Sequence, residues 1–181
     1  MEQLNNWKYC EASTKAHPVA KIYLKYLQTI NNIFLKEGAK TTPFKNEIGF
    51  NLDAIEEVKA SSEKRLKRKT VDLVFCITKQ QTVQKSKPKV GQKLKPQTVL
   101  TELKLNLKSK NNVNVEEKDI SNKIAYSIEL LTREIQIHNK YLLVIKDTLK
   151  PQTKNRLKRK LLNNPSYSVL SIDEFHKAYF C

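Results

Sequence analysis

Val99-Leu100-Thr101-Glu102-Leu103-Lys104-Leu105-Asn106-Leu107 alternates with the two-residue period of a β-strand. Thr101, Leu103, Leu105 and Leu107 point to one face. Leu100, Glu102, Lys104 and Asn106 point to the other. A carboxylate and an ammonium therefore share one face of an otherwise apolar strand. A second strand precedes it, Thr70 to Ile77, with Val71, Leu73, Phe75 and Ile77 on one face and Asp72 on the opposite one. Paired as neighbours, the two strands bring Asp72, Glu102 and Lys104 into one small cluster. Two acidic oxygen donors suit a hard divalent cation such as Mg²⁺, and a lysine beside them can orient or deprotonate a water.

Asp72 in KTVDLVF and Glu102-Leu103-Lys104 in VLTELKLNL resemble the motif of the PD-(D/E)xK nuclease superfamily, the fold of many restriction endonucleases. The chain departs from the family pattern at Val71, where the family has a proline. The resemblance implies an α/β restriction endonuclease-like core: a mixed central sheet flanked by helices, in the order αβββαβ. It implies Asp72, Glu102 and the backbone carbonyl of Leu103 as ligands to Mg²⁺, with Mn²⁺ as a substitute. Lys104 is then the residue that positions the attacking water or stabilises the charged transition state. Such a cation neutralises phosphate charge, acidifies a bound water and steadies the leaving oxygen. Many members carry a further acidic residue upstream. Glu47 is the first choice for it, Glu37 and Glu11 are the alternatives, and a solvated strand-end charge is the competing reading of Glu47.

The 181 residues suffice for one domain with a real core. A single domain over 1–181 is expected, with its core at about 18–147 and an extension from about 148. Apolar residues make up 39%, which argues against disorder. No apolar run approaches the ~20 residues of a membrane span. The opening Met1 to Trp7 lacks a signal peptide's apolar stretch. Cys10, Cys76 and Cys181 are odd in number and far apart, which fits neither a disulfide framework nor a zinc site. A reducing cytoplasm is the expected setting. Net charge is +16 and the pI is near 9.7, so a polyanion, nucleic acid first, is the expected partner.

In chain order, a short polar lead ends at His17. Val19, Ile22, Tyr23, Tyr26, Leu27, Ile30, Ile33 and Phe34 then predict one helix from Pro18 to Glu37, started by Pro18 and stopped by Gly38. Glu47 to Leu52 reads as a first strand, paired with the Asp72 strand. Asp53 to Ser62 is a short helix or an extended loop. The basic run Lys64, Arg65, Lys67, Arg68 and Lys69 leads into the Asp72 strand, where phosphate contacts would hold a backbone over the metal. From Lys79 to Thr101 no acidic residue occurs, and Lys85, Lys87 and Lys89 punctuate a polar connection too long for a tight hairpin. A long helix from Val115 to His138 follows, with Ile120, Ile124, Ile128, Leu131 and Ile135 as its buried stripe. Tyr141 to Ile145 is an apolar strand of the sheet interior; the strand–helix–strand passage implies parallel pairing. The tail reads as a basic helix from Pro151 to Leu162, a strand from Tyr167 to Ile172, and a last helix capped by Asp173. Scattered histidines and three glycines in all exclude histidine chemistry at the cluster and a Gly-rich phosphate loop.

The function expected from these features is Mg²⁺-dependent endonucleolytic hydrolysis of DNA, double-stranded first of all, in a restriction, phage-defence or mobile-element setting. Cutting both strands suggests a homodimer. The alternative is a non-enzymatic basic nucleic-acid-binding module on a nuclease-like fold.

Overall fold

Seven strands form one open, mixed sheet among the described residues of a computed structural model, which are 6–80, 95–106, 117–131, 135–149, 151–152, 155 and 166–181. In chain order the elements are β1 (Trp7–Tyr9), α1 (Glu11–Lys15), α2 (Pro18–Ile22), a 3-10 turn (Leu24–Tyr26), β2 (Leu27–Thr29), α3 (Ile30–Lys36), β3 (Ile48–Asn51) and α4 (Leu52–Ser62). Then come β4 (Leu73–Lys79), β5 (Gln97–Lys104), α5 (Glu117–Leu131), β6 (Tyr141–Ile145), a 3-10 turn (Asp147–Leu149), β7 (Tyr167–Ser171) and α6 (Ile172–Tyr179). The sheet runs β2-β3-β4-β5-β6-β7, and β1 pairs with the far end of β4. Pairing is antiparallel from β2 to β5 and parallel from β5 to β7. The chain is thus α/β, with helices on both faces of a mixed sheet.

The core is two layers, one on each sheet face. Val19, Ala20, Leu52, Ile55, Val74, Leu100, Ile120, Leu131 and Leu143 pack in one. Ile30, Ile33, Phe34, Phe75, Leu103, Leu142, Val144 and Phe175 pack in the other. This division corrects the reading of the first helix. Residues 18–36 keep a helical period throughout, yet they do not form one helix. Tyr23 leaves the helix at φ −126°, ψ 42°, and the Thr29 hydroxyl accepts from the Asn32 N–H to start α3. Between them Leu27–Thr29 pairs with β3, Leu27 opposite Phe50. The apolar residues before the break serve one face of the sheet and those after it the other. One straight helix cannot reach both, and β2 carries the chain across the sheet edge.

Other boundaries differ for similarly local reasons. Trp7–Tyr9, expected as part of a polar lead, pairs with Ile77–Lys79 of β4, beyond the reach of the short β3. The Lys8 ammonium donates to the Ala178 carbonyl at 3.3 Å, near the C-terminus of α6, a favourable end for a cation. Val71 was expected on the Leu73 face; it lies before β4 and packs in the opposite layer. Helix α5 does not run on to His138, because Ile137 bridges to Thr98 beside the sheet. Ser171, not Asp173, caps α6, in a reciprocal capping box with Glu174. The strand at Tyr141 is as expected: wholly buried, and parallel to β5. Most of the expected helix Pro151 to Leu162 lies outside the described residues. Among the described residues no helix is long and apolar enough to cross a membrane.

Candidate functional site

The β4–β5 register sets Leu73 opposite Thr101. Continued by one residue, it brings Asp72, in the bend just before β4, opposite Glu102. Asp72 touches β5 at the next residue: the Leu103 backbone N–H donates to Asp72 Oδ2 at 2.7 Å. Two residues further along β5, Lys104 Nζ lies 2.7 Å from Glu102 Oε1. Asp72, Glu102 and Lys104, the three residues singled out from the strand pattern, therefore meet at one end of the β4–β5 pair.

Other groups complete the cluster. Lys123 of α5 also donates to Glu102 Oε1, in a very short contact, and the Tyr141 hydroxyl donates to Glu102 Oε2 at 3.4 Å. Glu102 is only 3% exposed, so these partners satisfy a buried charge. A cavity of about 440 Å³ opens beside them, lined by Asp53, Lys69, Glu102, Lys104, Lys123 and Tyr141 among others.

The electrostatics follow from this crowding. Burial and then the charge of Glu102 push the Asp72 carboxyl up to about 8, against the lowering effects of the Leu103 N–H and Lys123. Burial, Asp53 and Glu102 raise Glu37 as well. Burial works against the Lys104 charge, yet Glu102 holds that ammonium above the usual lysine value. Burial and the neighbouring carboxylates Glu102 and Asp72 raise the Tyr141 hydroxyl far above its ordinary range, so it serves as a donor.

Among the upstream acids, Glu37 is the one that lies within electrostatic reach of Asp72. It is the C-cap of α3, followed by Gly38 at φ +96°. The Gly38 N–H donates to the Leu35 carbonyl and the Ala39 N–H to that of Phe34, a Schellman ending that places the turn against Asn106 just past β5. Glu47 sits before β3, where its Oε2 accepts from the Lys45 N–H at 2.7 Å and its charge reaches Tyr9 instead. Glu11, in α1, pairs with Lys15 at 2.6 Å.

The basic run is tied down by carboxylates. Glu56, fully buried, accepts from both Arg65 and Arg68. Arg68 also pairs with Glu129 at 2.8 Å and lies over the Tyr126 ring. Lys67 pairs with Asp53 at 2.6 Å, and Lys69 approaches Asp119 at 3.7 Å. Lys64 is exposed. The run thus braces the segment leading to Asp72 against α4 and α5, and phosphate contact by Arg65 or Arg68 has to compete with these pairs. Lys85, Lys87 and Lys89 lie outside the described residues.

Among the described residues no three His, Cys, Asp or Glu side chains form a group that could hold a metal ion by themselves. Mg²⁺ needs less. It keeps several waters and takes one or two carboxylates, with substrate phosphates completing its shell. Asp72 and Glu102, opposed across the strand pair, fit that donor set when both are ionised; burial and Glu102 raise the Asp72 carboxyl, so the metal has to displace its proton.

Sequence reading did not find Lys123 or Tyr141 as partners of Glu102, and it placed Glu37, with Glu11, behind Glu47. The signals were there. Lys123 lies three residues after Ile120, at the border of the apolar stripe of α5. A carboxylate at a helix C-terminus, as at Glu37, opposes the helix dipole and so calls for a local reason. Comparison of the chain with protein-family models, with curated proteins and with solved structures finds no match in any of the three.

Proposed function

We propose that the chain is a metal-dependent nuclease that hydrolyses phosphodiester bonds of DNA, built on a restriction endonuclease-like core. One observation carries the reading: Asp72 and Glu102 face each other across β4 and β5, with Lys104 Nζ 2.7 Å from Glu102 Oε1. Asp72, Glu102 and the Leu103 carbonyl would hold Mg²⁺ or Mn²⁺. When bound, that ion supplies charge neutralisation at the phosphate and an acidified water. Lys104, kept cationic by Glu102, orients the attacking water and offers positive charge to the developing pentavalent phosphorus centre. Tyr141, in the wall of the cavity, fixes the rotamer of Glu102, and Glu37, within electrostatic reach of Asp72, adds negative charge that favours a cation. The net charge of +16 draws the polyanion in.

The test is incubation of the purified protein with supercoiled plasmid, and separately with RNA, in Mg²⁺, Mn²⁺ or EDTA. Nicking or linearisation of the plasmid that needs the metal and is lost in Asp72→Asn and Lys104→Ala supports the reading. No cleavage, or cleavage indifferent to both substitutions, rejects it. A second reading, a nucleic-acid-binding module without catalysis, is favoured by the two ammoniums that already satisfy Glu102 Oε1. It predicts salt-sensitive DNA binding that needs no metal and survives loss of Asp72. Light scattering with and without duplex DNA measures whether two copies assemble on it.

A further inference from the structure

Glu102 Oε1 has two ammonium partners, and they are not equivalent. Lys104 stands on the same strand, two residues away. Lys123 comes from α5 and makes the shorter contact. Its helix is fastened at this spot. The Ser127 hydroxyl, fully buried, donates to the Lys123 carbonyl at 2.6 Å and accepts from the Val71 N–H at 3.0 Å. Val71 is the neighbour of Asp72. The Ser127 bridge therefore locks Lys123 to the very segment that presents the other carboxylate. Lys123's side chain is 17% exposed against 35% for Lys104, so it is the more enclosed of the two.

We infer that Lys123 is a built-in cation that occupies Glu102 in place of a divalent metal and must leave Glu102 Oε1 for the metal to bind. The inference rests on the proposed reading in taking Glu102 for a metal ligand; it does not need hydrolysis to occur. A carboxylate oxygen shared by two ammoniums has little left to offer a third cation. Removing one unit charge a few ångströms from the ion is worth an order of magnitude or more in affinity at the effective dielectric of a partly buried site. The device keeps Glu102 paired in the metal-free protein, and it makes Lys123 the group set free when the metal arrives, ready for an anionic phosphate. Lys69 is the natural control. It lines the same cavity and carries the same charge, but approaches Asp119 rather than Glu102.

Two measurements test this on the full-length protein with Mn²⁺ as the probe and no nucleic acid. Calorimetric titration should show Mn²⁺ binding at least about tenfold tighter in Lys123→Gln than in wild type, within about twofold of wild type in Lys123→Arg, and within about twofold in Lys69→Gln. Independently of any variant, acetylation of wild-type lysines read by mass spectrometry should speed up several-fold at Lys123 on adding Mn²⁺, with no comparable change at Lys69. Equal Mn²⁺ affinity in wild type and Lys123→Gln, or a labelling gain at Lys104 and not at Lys123, overturns the inference even if plasmid is cut. Tighter Mn²⁺ binding by Lys123→Gln without plasmid cleavage upholds the competition and removes the hydrolytic reading. Absence of saturable Mn²⁺ binding in both proteins overturns both.

Discussion

Asp72 Oδ2 accepts the Leu103 backbone N–H at 2.7 Å, so a side chain does there what the next residue of a β-ladder would otherwise do. The bend at Asp72 ends the β4 pairing, and its carboxylate takes the Leu103 N–H of β5. The same carboxylate faces Glu102. One residue thus has a structural duty, which needs an oxygen, and an electrostatic burden, which comes from its charge. Substitution separates them. Asp72→Asn keeps an oxygen for the Leu103 N–H and removes the repulsion, so the metal-free protein should be as stable as wild type or more so at pH 8, while metal-dependent cleavage is lost. Asp72→Ala strands the N–H and should lose ~1–3 kcal/mol. Urea denaturation in EDTA compares them; an Asn variant as unstable as the Ala variant would refute this division of roles.

The buried Glu56 carboxylate is the second point of leverage. Burial alone would raise its proton affinity, but Arg65 and Arg68 hold it down at about 2, below its ordinary 4.5. The sign follows from linkage: this stability is fully present above pH 4.5 and is lost as pH falls toward 2. Glu56→Ala removes the anchor that Arg65 and Arg68 share, while each arginine keeps a second carboxylate, Glu63 and Glu129 respectively. It should lower stability at pH 7 by about 1–3 kcal/mol, the scale of hydrogen bonds to a charged group, and free the segment 65–68 that leads to Asp72. Arg65→Ala, whose loss leaves Arg68 on Glu56, should cost less. Denaturant midpoints at pH 7 and pH 3 check both the size and the acid dependence.

Much of this site was legible because strand periodicity is a local property. The alternation at Leu100, Glu102 and Lys104, and the lone polar Asp72 among apolar neighbours, needed no knowledge of what lies beside them. The uninterrupted apolar run of Tyr141–Ile145 could belong only to the sheet interior. What the sequence left hidden depends on partners distant in the chain. Val19 and Phe34 keep one helical phase, and only the sheet shows that they serve opposite faces. Trp7–Tyr9 is too short to carry a period of its own; it is a strand because the end of β4 is open to it. Lys123 reads as an ordinary border lysine until Ser127 and Val71 fix its helix over Glu102. Glu56 follows Leu52 by one helical turn and so faces inward, a hint that its arginine partners turn into a structural fact.

Gly38 links the helical layer to the site. It takes φ +96°, and a Cβ there would stand 1.8 Å from Asn106 Oδ1. The backbone angle is the larger objection, because Oδ1 is the far end of the exposed Asn106 side chain, which can turn away. Gly38→Ala should cost ~1–2 kcal/mol from left-handed strain, and Asn106→Ala should recover little of it in a double-mutant cycle. Because Glu37 precedes this turn, Gly38→Ala should also reduce metal-dependent cleavage more than its stability loss explains. A large recovery on removing the Asn106 side chain would show that the contact, not the backbone, sets the cost.

The proton on Asp72 gives the site a stability signature that needs no substrate. Its carboxyl ionises near its ordinary 3.8 in the unfolded chain and at about 8 in the folded one, through burial and the charge of Glu102. Below pH 3.8 both states hold the proton and Asp72 contributes no pH dependence. Between 3.8 and 8 the unfolded chain has released it while the folded one keeps it, so stability falls as pH rises, and it levels off above 8. Asp72→Asn has no such slope. The stability difference between wild type and variant, measured by urea denaturation in EDTA, should therefore move steadily in the variant's favour from pH 5 to 8 and stay constant from 8 to 9. The depressed His17, near 4 through burial, tilts both proteins alike and cancels in the difference. Mg²⁺ favours the ionised carboxylate, so adding it should shrink the difference in wild type's favour and move the levelling point to lower pH. A difference independent of pH in EDTA would mean that Asp72 is already ionised at neutrality, and that the two lysines, rather than a proton, balance the cluster.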